Sequence, residues 1–142
     1  MRVSTLCQFL IFFLALPALA SDSWLVSRVI DGDTIVLANG ERVRYIGIDT
    51  AETEESLGDV MKEYNRRLVE GKNVRLEFDR DRHDRYGRLL AYVYVDDLFV
   101  NALLVKQGLA RVMTVKPNVR YKEYFKQLEL EAKKARRGIW SK

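Results

Sequence analysis

The chain has 142 residues, 48% of them hydrophobic and 31% charged, with a formal net charge of +4 and a pI near 9.2. This basic balance favours an anionic partner such as nucleic acid or an anionic surface, although so small a charge is weak support by itself. The single cysteine, Cys7, lies in the N-terminal segment. The rest of the chain therefore has no thiol for catalysis or for a disulfide.

Residues 1–20 have the pattern of a secretory signal peptide. A basic start at Arg2 precedes an apolar run from Leu6 to Leu16, and the small residues of "PALA" end at Ala20. The apolar run is shorter than the roughly 20 residues that span a membrane. We predict cleavage after Ala20, a secreted or periplasmic protein, and no stable membrane insertion; an uncleaved anchor or a buried helix is the alternative. Residues 21–142 then form a single domain, which we expect to be monomeric.

Three strands are predicted next, over Trp24–Ile30, Thr34–Ala38 and Glu41–Ile48. The last two are joined by Asn39-Gly40, a strong signal for a two-residue hairpin turn because both residues tolerate a positive φ.

The second half of the chain predicts three helices and two further strands. The helices cover about Asp59–Glu70, Ala102–Gln107 with Asn101 as its cap, and about Val119–Arg137. The strands are "NVRLEFD" and "LLAYVYV". This order predicts an α+β fold that is mainly β: a five-stranded Greek-key barrel of the OB type with three helices. A β-grasp fold or a plain α+β sandwich remains an alternative.

The first hairpin carries acids at its open end. With a two-residue turn, Asp33 lies opposite Ile46, and Asp49 follows three residues later. Two carboxylates held close together repel each other unless a cation or a proton lies between them, and a hard cation such as Ca²⁺ prefers oxygen ligands. The alternative is that Asp31-Gly32 and Asp49-Thr50 simply form turns.

Two arginines are candidates for binding phosphate. Arg44 lies within the third strand and Arg88 follows a turn at Tyr86-Gly87. A planar guanidinium suits two oxygens of one phosphate group. Arg44 and Asp49 are five positions apart and would point to opposite faces of a regular strand, so a shared site requires a bulge or bend, which Gly47 permits.

Five segments resemble the thermonuclease, or staphylococcal nuclease-like, family. They are "IDGDTI", "VRYIGIDTAE", "DRYGRLLAYVY", "VNALLVKQGLARV" and "GIWS", in this order from about Val29 to Ser141. The resemblance implies an OB-type barrel with three helices. It also implies a Ca²⁺-dependent phosphodiesterase acting on DNA and RNA, which we expect to prefer single-stranded or unpaired substrate.

The resemblance also implies roles for particular residues. The metal would be held by Asp33, Asp49 and the backbone carbonyl of Thr50, with Asp31 supporting the metal and its waters. Glu52 would be the general base, Arg44 and Arg88 the phosphate clamp, and Arg85 and Tyr86 would lie beside the nucleotide phosphate.

The chain departs from the family pattern in three places. Ala51 replaces the proline of "DTPE", which loosens the segment holding Glu52 and makes Glu54 or Glu55 an alternative base. The loop Thr53–Gly58 is short. The "RVMTVKPN" stretch is one residue shorter than the family's tyrosine-bearing version, which predicts a weaker surface for stacking a base.

Two other classes of function are alternatives to an enzyme. A non-catalytic OB-type module that binds nucleic acid or protein would be expected to lack at least one residue of the catalytic and metal set. The chain keeps Asp33, Asp49, Glu52, Arg44 and Arg88. A surface-attached adhesin would need an anchoring motif, and the sequence contains none that we recognise. The sequence therefore favours the enzyme.

Overall fold

The computed structural model of the chain describes residues 22–50 and 55–142. The predicted signal peptide, Ala51, Glu52 and Glu54 lie outside these ranges. The strands are β1 (Trp24–Asp31), β2 (Thr34–Leu37), β3 (Arg42–Tyr45), β4 (Ile48–Asp49), β5 (Asn73–Glu77), β6 (Leu89–Val95), β7 (Leu98–Phe99) and β8 (Arg111–Val112). The helices are α1 (Glu55–Val69), α2 (Val100–Lys106) and α3 (Lys122–Lys134), followed by a 3₁₀ turn at Gly138–Trp140.

Five strands close into a barrel. β1 pairs with β2 on one side and with β5 on the other, β2 pairs with β3, and β5 pairs with β6, all antiparallel. A parallel pairing of β3 with β6 closes the ring. This barrel with three helices confirms the predicted OB-type α+β fold. β4 and β8 form a separate two-stranded ribbon beside it.

The first hairpin has a three-residue loop rather than the predicted two-residue turn. Ala38, Asn39 and Gly40 form the loop, and the N–H of Leu37 donates to the carbonyl of Glu41 at 2.9 Å. Gly40 has a φ of +89°, as the left-handed position of such a loop requires. The longer loop shifts the register by one residue, so Asp33 lies opposite Tyr45 and not Ile46.

The predicted third strand is interrupted at Gly47, which has a φ of +80°. A Cβ at this position would meet the Phe125 ring at 2.8 Å, so only glycine lets the bend pack against α3. The bend ends β3 at Tyr45 and starts β4 at Ile48. The single strand Glu41–Ile48 was therefore wrong, whereas the bend at Gly47 is confirmed.

The helix ends also differ from the predictions. α1 begins at Glu55 instead of Asp59, and α3 is shorter than Val119–Arg137 at both ends. Asn101 lies inside α2 and is not its cap. Its amide accepts a hydrogen bond from the N–H of Val93 and donates one to the carbonyl of Ile46, both at 2.9 Å. A buried amide thus fastens α2 to the barrel.

The hydrophobic core fills the barrel and extends beneath the helices. The barrel contributes side chains such as Val26, Ile35 and Val93, while α2 and α3 add Leu104 and Phe125. Burying each such side chain stabilises the fold by about 1.5–3 kcal/mol. Over the ranges that the structure describes, no helix has the length and apolar character needed to cross a membrane.

Candidate active site

The turn between β1 and β2 brings Asp31 and Asp33 together. The carboxylate of Asp31 accepts the N–H of Asp33 at 3.0 Å. The buried carboxylate of Asp33 accepts the hydroxyl of Thr34 at 3.2 Å and the N–H of Thr50 at 2.9 Å. The Asp33 side chain is therefore fixed from two directions, one of them the segment that follows β4.

Thr50 packs directly against the turn. A Cβ on Gly32 would lie 2.8–2.9 Å from three atoms of the Thr50 side chain. This distance is shorter than carbon atoms tolerate, so Gly32 is needed for the close approach of the two segments. The glycine of "DGDT" thereby places Thr50 beside Asp33.

Arg44 links the turn that carries Asp33 to the strand that carries Asp49. Its Nη1 donates to the carbonyls of Tyr45 and Ile48, at 2.6 and 2.8 Å. Its Nη2 lies 3.2 Å from the carboxylate of Asp33 and 3.3 Å from that of Asp49. The bend at Gly47 therefore brings Arg44 and Asp49 to one face. Asp31, Asp33, Asp49 and Arg44 are called the acidic corner below.

The acidic corner has more negative than positive charge. The carboxylates of Asp33 and Asp49 both contact the guanidinium of Arg44, which is their cationic partner in the described part of the chain, and the carboxylate of Asp31 accepts the N–H of Asp33. Burial, and next the nearby charge of Asp33, raise the pKa of Asp31. Within residues 22–50 and 55–142, no three His, Cys, Asp or Glu side chains are grouped to hold a metal ion. The donors available are carboxylates and the Thr50 carbonyl, an all-oxygen set that suits a hard cation.

Arg88 lies at the start of β6, next to the acidic corner. The parallel pairing of β3 with β6 sets Arg44 beside Leu90, two residues beyond Arg88. The carboxylate of Asp84 accepts the Nε–H of Arg88 at 2.6 Å and the N–H groups of Tyr86 and Arg88 at 2.9 and 3.0 Å. Burial opposes ionisation, yet these hydrogen bonds hold the pKa of Asp84 below its usual range.

A cavity of about 480 Å³ opens between Arg44 of the acidic corner and this turn. Arg44 and Arg88 both line it, while Arg85 and Tyr86 lie exposed at its rim. The Tyr86 ring lies 5.0 Å from the guanidinium carbon of Arg85 and 5.6 Å from that of Arg88. The opposite wall is formed by Met113 and residues 115–118. The cavity thus combines arginines with an apolar wall.

A family model described as "Staphylococcal nuclease homologue" matches residues 42–142. The chain belongs to this family. It is 41% identical over 130 residues to "Thermonuclease" of Staphylococcus intermedius, covering 85% of this chain and 77% of that protein. It is 48% identical over 128 residues to "SPbeta prophage-derived endonuclease YokF" of Bacillus subtilis (strain 168), and 47% identical over 128 residues to "Endonuclease YncB" of the same strain. Each match covers 82% of this chain, but only 43% of YokF and 61% of YncB.

The structure groups most of the residues that this family resemblance singled out. Arg44 contacts both Asp33 and Asp49, Thr50 donates to Asp33, and Arg88 lines the same cavity as Arg44. Their catalytic roles stay predictions. Glu52, the predicted general base, and Glu54, its alternative, lie outside the residues that the structure describes.

Sequence reasoning missed two residues that shape the cavity. Asp84 precedes Arg88 by four positions across a glycine turn, a spacing that could have indicated the pair. Asn118 binds the backbone of Asp81 with both ends of its amide, at 2.8 Å each, and so joins the two walls of the cavity. No local sequence pattern predicts this contact, because the two residues are 37 positions apart. His83 lines the cavity and is exposed.

Proposed function

We propose that this chain is an exported, Ca²⁺-dependent nuclease that hydrolyses phosphodiester bonds in single-stranded or unpaired DNA and RNA. The observation that carries the proposal is the shared cavity, where Arg88 faces the same space as Arg44, and Arg44 in turn contacts the carboxylates of Asp33 and Asp49. The thermonuclease and endonuclease relatives support the reaction class. A polyanionic substrate also suits the net positive charge of the chain.

The acidic corner would hold the cation through Asp33, Asp49 and the carbonyl of Thr50, with Asp31 supporting Asp33. A cation in this place would neutralise a non-bridging phosphate oxygen and lower the pKa of a bound water. Members of the family are generally metal-dependent, which supports a metal here. The excess of carboxylates over guanidinium groups supports the same assignment.

The other steps of the reaction are assigned to Arg88, Glu52, Arg85 and Tyr86. Arg88 presents its terminal nitrogens to the charge that builds on the phosphorus-bound oxygens, because its Nε is already held by Asp84. Glu52 accepts the proton of the attacking water. Arg85 and Tyr86 lie at the rim, where they guide the strand into the cavity.

The shape of the cavity supports the preference for unpaired substrate. Its volume, about 480 Å³, suits a ligand about as large as one nucleotide. A base within a duplex would have to leave its stack before it could enter such a concave site, at a cost of a few kcal/mol. Unpaired strands avoid that cost. The proposed action on both DNA and RNA rests on the family resemblance.

The metal proposal is tested by incubating the purified protein with single-stranded DNA or RNA, with Ca²⁺ or with a chelator. We expect cleavage in Ca²⁺ and none in chelator. Mg²⁺ should substitute poorly, because it requires a stricter octahedral geometry and dehydrates reluctantly. Full cleavage in chelator would contradict the metal assignment.

The enzyme is separated from a binding module by Glu52→Gln, which is nearly isosteric. We expect the variant to bind single-stranded oligonucleotide in Ca²⁺ with unchanged affinity but to cut it at least about a hundredfold more slowly, within the 10²–10⁴ range for a general base. Glu54→Gln is the matched control and should cut normally. The reverse result would transfer the role to Glu54. Binding without cleavage by the unmutated protein would favour the non-catalytic module.

Export is proposed from the signal pattern of residues 1–20. Production in a bacterium with a secretory pathway should give a protein whose first residue is Ser21, as read by mass spectrometry of the N-terminal peptide. An intact N-terminus on protein recovered from the cytoplasm would reject export.

Gel filtration of the same preparation tests the expected monomer.

A further inference from the structure

A chain of buried hydrogen bonds runs from α1 to the acidic corner. The hydroxyl of Tyr45 donates to Oδ1 of Asn65 at 2.8 Å, and Nδ2 of Asn65 donates to the carbonyl of Asp31 at 3.0 Å. Asn65 is 0% exposed and Tyr45 is 1% exposed. The carboxylate of Asp31 in turn accepts the N–H of Asp33.

The direction of these bonds is fixed by chemistry. The carbonyl of Asp31 can only accept, so the amide of Asn65 must present its nitrogen there and its oxygen to Tyr45. The hydroxyl of Tyr45 must then donate. Burial raises the pKa of Tyr45, so its hydroxyl keeps the proton that the bond needs. Each group has one orientation, and the end of the chain of bonds fixes one carbonyl of the Asp31–Asp33 turn.

Three parts of the site are joined by this network. Tyr45 follows Arg44 in β3, and Asn65 belongs to α1, the helix that begins just after the segment carrying Glu52. Asp31 begins the turn that presents Asp33 to Arg44 and Thr50. These three parts are therefore linked by direct hydrogen bonds between protein groups.

Packing alone does not require an asparagine at this position. α1 is already anchored by the buried side chains of Met61 and Val69. A fully buried amide loses its hydration, and only correctly placed partners offset that cost. An apolar residue would avoid the cost, so the asparagine is better explained by the geometry it imposes on its partners.

We propose that Asn65 and Tyr45 are positioning residues that hold the Asp31–Asp33 turn, and through it the carboxylate of Asp33, in the arrangement that binds the cation. This inference rests on the proposed function, because it concerns the cation assigned there. The two residues act through the backbone of Asp31 and contact neither cation nor substrate. Outer partners of metal ligands commonly change metal affinity by about 10–100-fold when they are lost.

The test compares Tyr45→Phe with Tyr92→Phe, a matched control. Tyr92 is also 1% exposed, and its hydroxyl also donates to one side-chain oxygen at 2.8 Å, that of Asp79. Both variants lose one buried hydroxyl. Calorimetric titration with Ca²⁺ should show the Kd raised about 10-fold in Tyr45→Phe, the lower end of that range, and unchanged in Tyr92→Phe. An unchanged Kd in Tyr45→Phe, or equal shifts in both, would overturn the proposal.

Asn65→Ala gives a second test that does not depend on Tyr45→Phe alone. If the two residues act as one unit, the Ca²⁺ affinity of the double variant should equal that of Asn65→Ala. Additive losses would show that Tyr45 acts by another route and would contradict the network.

Hydrogen exchange separates this proposal from the proposed function. In the cation-free protein, the N–H of Asp33 should exchange faster in Tyr45→Phe than in the unmutated chain and in Tyr92→Phe. If the unmutated protein binds no Ca²⁺, the metal assignment fails while this exchange result still shows whether Asn65 and Tyr45 fix the turn. Equal exchange in all three proteins would remove their positioning role.

Discussion

Arg44 and Arg88, two of the arginines that line the cavity, are held differently by the chain. Arg44 in the acidic corner is 11% exposed, and both its terminal nitrogens have partners: two backbone carbonyls and two carboxylates. Arg88 is 29% exposed and is held through Nε by Asp84. Its terminal nitrogens have no hydrogen-bond partner among residues 22–50 and 55–142.

The two arginines therefore have different roles: Arg44 is mainly structural, whereas Arg88 has terminal nitrogens that can still donate to a ligand. Arg44 links β3, the bend and the turn at Asp33, so much of its bonding capacity goes to holding the site together. Arg88 is pre-oriented along one edge and presents the other edge to the cavity. The predicted phosphate clamp therefore has unequal halves, and we expect loss of Arg44 to affect mainly stability and loss of Arg88 mainly turnover.

The largest expected effect is on stability. Arg44→Met would leave the buried carboxylate of Asp33 without its guanidinium and two backbone carbonyls without their donor. Removing one partner of a buried ion pair costs about 3–5 kcal/mol, whereas a half-buried pair such as Arg88–Asp84 is partly screened by solvent and contributes less, about 1 kcal/mol. Urea unfolding should show the free energy of unfolding lowered by about 3–5 kcal/mol in Arg44→Met and by about 1 kcal/mol in Arg88→Met. Equal losses would erase the distinction between the two arginines.

The next effect is on turnover. Arg88→Lys keeps the charge but loses the planar fork, so kcat should fall by about 10²–10³, the scale for one preorganised donor. The unfolding midpoint should hardly change. Arg82→Lys is the control, because Arg82 is exposed, is not among the residues that line the cavity, and makes a ring contact with Phe78. If Arg88→Lys cleaves at the normal rate, Arg88 only attracts substrate or supports the turn.

A smaller effect tests how tightly the acidic corner is packed. Gly32→Ala places a methyl group within 2.9 Å of the Thr50 side chain, so one of the two segments must shift. Such overpacking typically costs about 1–3 kcal/mol. We also expect weaker Ca²⁺ binding in calorimetry, because Thr50 and Asp33 are held against each other. A variant with unchanged stability and affinity would show that the corner has room to relax.

The smallest effect concerns the carboxylate beneath Arg88. Because the pKa of Asp84 is lower in the folded chain than its unfolded value of about 3.9, its ionised form stabilises the fold above that pH. This stabilisation is lost as the pH falls below about 4 towards the lowered folded pKa. Asp84→Asn should therefore cost about 1 kcal/mol at pH 7 and less in acid. Urea unfolding of the variant and the unmutated protein, at pH 7 and below about pH 4, measures this cost in stability. A cost that is the same at both pH values would contradict the ion pair.

The OB-type barrel was predictable from sequence because its signals are local. Alternating apolar residues in "NVRLEFD", the glycine stop after α1 and the turn at Asn39-Gly40 each act within a few positions of the chain. Their order limits the topology to few choices. The family segments also indicated the residues that the cavity brings together. Errors of one to four residues arose at the ends of elements, where local preferences are weakest.

The residue types of the candidate site can be read from the sequence: the acids Asp31, Asp33, Asp49 and Glu52, the arginines, and the glycines that permit sharp bends. The partners of these residues depend on how the chain folds. The register of the first hairpin depended on a three-residue loop, and the sharing of one face by Arg44 and Asp49 depended on Gly47 packing against Phe125. The links from Asn65 to Asp31 and from Asn118 to Asp81 join positions 34 and 37 apart. Such contacts form only when the closed barrel brings distant segments together, since a buried amide is stable only where packing supplies its partners.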